Sequence, residues 1–286
     1  MMQEDITIVV NTLNDSARDL DKCFLSLKKN KPKNIIVVDG GSTDGTVEIA
    51  KKYCNSVFVT KPSIVGQHLF ALKKVDTKYV LGVETDQELP NGLLEKLLQD
   101  IEEQKCFGSQ AKLICKYERN FFEKGQKIFY DINQNTGNRF IDISTTPSLL
   151  DTQKYLPIIE ELYNLSLGHN FAIDTFKAEL LKKKNLKVFK SNHIAYQVEK
   201  LNLKIYIKKI ISYGNGDYTF FNTNKKKWSI FRKMISLSHV FRRYVVVFPI
   251  ISIFRSNFLI AIPFFWLTAI VRYYAFLKNF LINKKL

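Results

Sequence analysis

Two short acidic segments hold the residues best suited to chemistry. The first is Val37-Val38-Asp39-Gly40-Gly41-Ser42-Thr43-Asp44-Gly45-Thr46, directly after a β-branched apolar run. Its glycines permit left-handed backbone and close approach of a ligand, and Ser42, Thr43 and Asp44 are residue types that cap a following helix. A carboxylate at such a strand tip, Asp39, can accept hydrogen bonds from a base or a ribose. The same residues also read as an ordinary strand–turn–helix junction, because Asp-Gly is common in turns. The second segment, Gly82-Val83-Glu84-Thr85-Asp86-Gln87-Glu88-Leu89-Pro90, spaces Glu84 and Asp86 at i and i+2. Two carboxylates at a strand end can converge on one hard divalent cation, Mg²⁺ or Mn²⁺, that bridges a diphosphate and takes up charge on a leaving group. Taken alone, Glu-x-Asp is more simply a solvated acidic turn.

The elements that must position these residues follow from periodicity. Ile6–Val10, Ile35–Val38, Val57–Val59 and Tyr79–Val83 are short apolar runs rich in β-branched residues, as buried parallel strands require. Between them Leu20, Cys23, Phe24 and Leu27 recur at helical spacing; further helices are expected from Val47 to about Tyr53, from His68 to Lys74 and from Leu93 to Ile101. Strand–helix alternation over about a hundred residues predicts an α/β doubly wound, mostly parallel sheet, with ligands beyond the carboxyl ends of its strands. Both acidic segments fall there. Residues 107–190 are less regular, with aromatic and Asn-rich stretches, and read as the second half of the same domain.

Together these segments resemble family 2 glycosyltransferases of the GT-A fold. The resemblance begins at Ile8-Val9-Val10-Asn11-Thr12-Leu13-Asn14, similar to that family's opening strand and T-x-N turn. It continues through Cys23-Phe24-Leu25-Ser26-Leu27 and Asp39–Thr46 to Glu84-Thr85-Asp86 at the DxD position, in order, across roughly residues 6–100. It implies a GT-A catalytic domain in which Thr12, Asn14 and Asp39 bind base and ribose. Asp86 would hold Mn²⁺ or Mg²⁺, with Glu84 beside it or on the ribose. The expected donor is a UDP- or GDP-sugar and the acceptor a lipid-linked molecule or a glycan. Two departures stand out. The first acid of DxD is Glu, one methylene longer than Asp, and Gln67 stands where many relatives carry an Arg facing the diphosphate; Lys61 could supply that charge, or could be a plain surface lysine. An inverting transfer to a hydroxyl needs a base. Asp174, counted back from Leu186–Phe189, is the candidate, although the family's Glu-Asp pair here reads Ile173-Asp174. Gly168–Ile173 instead matches a G-x-N-x-A acceptor loop, and Asp174-Thr175 also suits a helix cap. A lipid-phosphate acceptor would need no base.

The remaining chain is basic. With 43 Lys and Arg against 27 Asp and Glu the net charge is +16, and the excess crowds Lys182–Lys285, which fits an anionic partner. A membrane surface is expected, and no nucleic acid. Residues 200–243 look helical and basic, with Tyr213-Gly214-Asn215-Gly216-Asp217-Tyr218 resembling a late element of membrane-linked family members or forming a glycine turn between two helices. Tyr244–Phe254 and Phe258–Val271 are apolar runs separated by Arg255, each shorter than the ~20 residues a spanning helix needs. Basic residues flank both ends, so a short hairpin or interfacial helices with Trp228, Trp266, Tyr273 and Tyr274 near headgroups is expected. A buried helical pair or a dimer interface is the rival. The division read from sequence is a catalytic domain over 1–200, a basic helical linker over 201–243 and membrane-associated helices over 244–286. No secretory signal is read at the acidic start, so the expected site of action is the cytoplasmic face of the membrane. The four cysteines have no metal-binding or disulfide spacing and read as reduced thiols; His169 and His193 read as structural. Two other functions fit parts of the pattern: a polyprenyl-phosphate sugar synthase, and a non-catalytic basic module that binds membrane or nucleic acid on a degenerate transferase fold. A nucleotidyltransferase would show a Gly-rich basic loop after the first strand, which Asn11–Asn14 is not.

Overall fold

The structure, a computed structural model, describes residues 5–135, 140–141, 146–166, 173–255 and 258–282. It divides into two compact units, one of residues 1–116 with 137–199, the other of residues 117–136 with 200–286.

In the first unit, strands β1 (Ile6–Thr12), β2 (Asn34–Asp39), β3 (Ser56–Val59) and β4 (Tyr79–Val83) are parallel in the order β3-β2-β1-β4. Each is followed by a helix: α1 (Leu20–Lys29), α2 (Thr46–Tyr53), α3 (Ile64–Leu72) and α4 (Leu93–Gln104). Alternate strand residues serve opposite faces. Val9, Ile36, Val38 and Val80 meet α3 and two later helices, α6 (Thr152–Ser166) and α7 (Ile173–Lys183), in one continuous core. Beyond β4 the sheet turns mixed. Strand β8 (Ser148–Asp151) is antiparallel to β4 and to β6 (Gly108–Cys115), β6 is parallel to β9 (Val188–Gln197), and the short β5 (Gln87–Glu88) and β7 (Phe140–Ile141) pair with β9 antiparallel. The stretch that looked irregular in sequence therefore supplies much of this half of the sheet.

The second unit is helical: α5 (Phe121–Asn135), α8 (Leu203–Asn224), α9 (Ile230–Val240), a π-helical stretch (Phe241–Val247), α10 (Phe248–Ile253) and α11 (Phe258–Ile282). Sequence reading placed 107–190 in the first domain, but α5 packs with the C-terminal helices through Phe121, Phe122, Phe129 and Ile132. Another difference concerns the glycines near 214. No turn forms there; α8 runs unbroken for 22 residues. Gly214 lies where α8 crosses α11, and a Cβ on it would come within 2.4 Å of the Arg272 carbonyl oxygen. Small residues at such crossings let two backbones approach, so glycine here serves packing. Asp217, one turn on, is held by Arg272 through Nε (2.5 Å) and Nη2 (2.8 Å).

Gly214→Ala should therefore lower the unfolding free energy of the helical unit by about 1–3 kcal/mol through overpacking. Urea denaturation followed by helical circular dichroism checks this; an unchanged midpoint would show that the crossing can relax.

Candidate active site

The site is built from three loops beyond the carboxyl ends of neighbouring parallel strands β2, β1 and β4. Its centre is Asp39, the last residue of β2, which is 0% exposed. Its Oδ1 accepts from the backbone N–H groups of Gly41 (2.8 Å) and Ser42 (2.6 Å), and its Oδ2 from the hydroxyls of Thr12 (2.7 Å) and Ser42 (2.6 Å). The turn requires Gly41 at φ +91° and Gly45 at φ +89°, which explains both glycines. The β1–α1 loop is laced to it. Asn14, at φ 52°, donates its N–H to Ser42 Oγ (2.7 Å) and accepts from Thr43 N–H (3.0 Å); Asp15 N–H donates to Thr46 Oγ1, and Ser16 N–H to Asp44 Oδ2. The hydroxyl and N–H of Thr46 close on Asp44 Oδ1, and these bonds hold the Asp44 carboxyl well below the usual carboxylate range.

On the other flank the same β1–α1 loop reaches the Glu84–Asp86 segment through Arg18. Its Nη1 donates to Thr85 Oγ1 (2.7 Å) and lies 3.7 Å from Asp86 Oδ2, while its Nε is 3.1 Å from Asp15 Oδ1. Burial works against the Arg18 charge, but Asp86, Asp15, Glu199 and Glu84 outweigh it and raise the guanidinium pKa. Asp86 is buried and Glu84 exposed. Glu84 is fixed by a small polar ring: Thr146 Oγ1 donates to Glu84 Oε1 (2.9 Å), Gln87 Nε2 donates to Thr146 Oγ1 (3.1 Å), and Glu84 N–H donates to Gln87 Oε1 (3.1 Å).

Asp174 sits in the first turn of α7, 3.0 Å from the ammonium of buried Lys177. Asp174 is the ion-pair partner of this ammonium, and Glu84 adds a smaller attraction to it. Burial lowers the Lys177 pKa, and Asp174, Tyr155 and Glu84 more than restore it, leaving it raised. The G-x-N-x-A segment ahead of Asp174, including His169, lies mostly outside the described residues. Gln67 is buried under Gly40 and donates to the strand-end carbonyls of Thr12 (3.0 Å) and Val38 (2.8 Å), which clamps β1 to β2. Lys61 is exposed on the loop after β3. Sequence reasoning passed over Arg18, Thr85, Thr146 and Lys177. A basic residue in a strand-end loop was a signal for Arg18, and the i, i+3 spacing from Asp174 was one for Lys177.

The residues present suit a hard divalent cation by their chemistry: two carboxylate oxygens from one strand end, with room in the coordination shell for phosphate and water. Among the described residues no group of three or more His, Cys, Asp or Glu is placed to hold a metal by itself.

Two outcomes follow. Asp39→Asn puts an amide N–H₂ against hydrogen-bond donors and should cost about 1.5–3 kcal/mol of stability, measured by urea unfolding. His68 lies edge-on to Tyr155 at 5.5 Å with its Nε2 enclosed. Burial, and then Lys177, bring its pKa from 6.5 down to about 3. The unfolded chain thus binds this proton more readily, so stability is present above pH 6.5 and is lost as pH falls towards 3, by up to about 1.4 kcal/mol per pH unit. His68→Phe should flatten that slope in unfolding curves taken at pH 7 and pH 5; an unaltered slope would assign it to other groups.

Comparisons with known proteins agree with this architecture. An uncharacterized glycosyltransferase of Rickettsia prowazekii is 32% identical over 136 residues, covering 46% of this chain and 44% of that protein. The lipopolysaccharide core biosynthesis glycosyltransferase LpsC of Rhizobium meliloti is 33% identical over 91 residues, covering 30% of this chain and 33% of its own. The chain thus spans about half the length of these and similar curated relatives. The mannosyltransferase PcManGT of Pyrobaculum calidifontis, solved with GDP-Man and Mn²⁺, shares the fold at a TM-score of 0.53 and 12% identity, covering 92% of this chain and 73% of that one. The sequence model described as glycosyl transferase family 2 matches residues 7–188. With its GT-A fold and a match across most of its length, this chain belongs to glycosyl transferase family 2.

Proposed function

We propose that the chain transfers a sugar from a UDP- or GDP-sugar to a lipid-linked or glycan acceptor at the cytoplasmic face of the membrane, with inversion. The observation that carries this reading is the placement of Glu84 and Asp86 beside the laced turns of Asp39 and Asn14, all at one end of the parallel strands. A nucleoside diphosphate needs such an arrangement. Its base and ribose meet the polar turn tips around Asn14 and Ser42, and buried Asp39 and Thr12, bonded to each other, shape those turns from beneath. Glu84 and Asp86 would hold Mn²⁺ or Mg²⁺, which when bound screens the diphosphate and stabilises it as a leaving group. Arg18 holds Asp15 and Asp86 in place and Lys177 holds Asp174, and Arg18, on the loop above Asp86, adds positive charge at the diphosphate end. Lys61 is available from the loop after β3. Asp174 would take the proton of an acceptor hydroxyl, with Lys177 orienting its carboxylate. Similarity to LpsC, a lipopolysaccharide core biosynthesis glycosyltransferase, supports a glycolipid-type acceptor, and the basic, apolar C-terminal helices support action at a membrane.

The test is a thermal-shift and hydrolysis screen of UDP- and GDP-sugars with Mn²⁺ or Mg²⁺. One nucleotide-sugar should raise the melting temperature only when the metal is present. Asp86→Ala should lower turnover by on the order of a hundredfold or more while leaving the fold intact. A chain whose function is unchanged in Glu84→Ala/Asp86→Ala would be a binding module and not a transferase.

A further inference from the structure

The helical unit carries an apolar surface that its own packing leaves uncovered. On α11, Leu259, Trp266, Ile270, Tyr274, Leu277 and Leu281 are exposed at steps of seven, four, four, three and four residues, one stripe along a helix. The opposite side of α11, with Ala261, Phe265 and Thr268, is buried. The second stripe runs along α9 and α10. Ile230, Met234 and Leu237 precede the π-helical stretch, Phe241 and Val246 lie within it, and Ile250 follows it. The step from Phe241 to Val246 is five residues and falls inside that stretch. Its wider i to i+5 turns absorb the extra residue, so the apolar side keeps its direction and Tyr244 and Phe248 stay buried. The two stripes belong to antiparallel neighbours: Tyr273 Oη bonds the backbone of Phe241 and Leu237, and Phe265 packs on Tyr244 and Phe248.

Both rods, Ile230–Ile253 and Phe258–Ile282, are long and apolar enough to cross a bilayer. Three features oppose crossing. Arg242 is exposed midway along the first rod, where it would meet the centre of the hydrocarbon. The second rod is accompanied by α8, through Tyr206–Thr268 (2.5 Å), Asp217–Arg272 and Asn215–Asn279 (2.7 Å). Exposed Lys204 and Lys208 of α8 would be drawn into the bilayer with it. Finally, α5, with exposed Lys124, packs its Gly125 on Phe264 of the same rod. Lying in the plane removes these costs, because arginines at the edge of an apolar face reach phosphate headgroups. Charge also selects the occupant. No Asp or Glu follows Asp217 in the chain, whereas twelve Lys and Arg do. Two copies of this face would repel, and an anionic leaflet would attract it.

We infer that the helical unit is a monotopic anchor: the α9–α10 and α11 stripes sink into one anionic leaflet and neither rod crosses. This rests on the proposed membrane association, and the experiment separates the two. In the full chain expressed in bacterial cells, Phe254→Cys sits at the bend, 84% exposed. A membrane-impermeant maleimide should leave it unlabelled above the parent chain in intact spheroplasts and label it after lysis. Labelling in intact spheroplasts would mean that the bend crosses, overturning the in-plane mode while keeping the membrane association. In parallel, purified chain should co-sediment with phosphatidylglycerol-containing vesicles, with a blue shift of tryptophan fluorescence from Trp266, and far less with phosphatidylcholine alone. Ile270→Glu, at an exposed position, should weaken that binding about tenfold or more. Failure to bind anionic vesicles, including by forming a stable dimer instead, would overturn the membrane association itself. Equal binding by the Ile270→Glu chain would overturn the assignment of this face.

Discussion

A buried carboxylate must be surrounded by donors, and the Asp39 turn is organised by that requirement. Asp39 has no exposed surface, so every lone pair it presents has to be met from within. Two backbone N–H groups and two hydroxyls do this, and they come from the end of β1 and from the turn after β2. One side chain therefore fixes the separation of neighbouring strand tips and the path of the loop between them. Gln67 serves the same junction from below, bonding one carbonyl of each strand. The Asp39 end of the candidate site is thus held by polar contacts that are already satisfied within the protein, which is the preorganisation a recognition surface needs.

Charge is balanced within the site in a similar manner. Glu84, Asp86 and Asp15 would repel one another if left alone, and Arg18 and Lys177 offset this from two directions. Arg18 reaches down from the β1–α1 loop, while Lys177 lies within the helical layer of the other face. The loop that carries Asn14 is also the loop that carries Arg18, so the turn around Asp39 and the acidic pair after β4 are mechanically joined. A shift in either would be transmitted through residues 13–19.

The helical unit shows a different balance. Its interior is aromatic, with Phe129 and Phe265 each packed on Tyr244 and Phe248, yet it also holds the largely buried Asp217–Arg272 pair. A buried ion pair adds little net stability but favours one arrangement of the helices over others. Gly214 contributes to the same selection by admitting α11 at close range. Rods long and apolar enough to cross a bilayer are thereby bound to polar companions.

Sequence by itself determined the alternation of strands and helices through β4, the position of both acidic segments beyond the strand ends, the resemblance to the family and the concentration of cations towards the C-terminus. These are local properties: hydrophobic period, glycine at left-handed positions and residue order all act within a few residues. Only the tertiary structure decided which side chains answer one another. Gln67 stands in sequence where many relatives carry an arginine facing the diphosphate; that it clamps two strands could not be read there, because its partners lie 55 and 29 residues away in the chain. The glycines near 214 looked like a turn and lie inside a helix, because the reason for Gly214 is the Arg272 backbone across the bundle. The segment 117–136 appeared continuous with the sheet domain, yet its aromatic face is complementary to helices more than a hundred residues later. Pairings between distant segments depend on shape and burial in three dimensions, and those leave no period in a sequence.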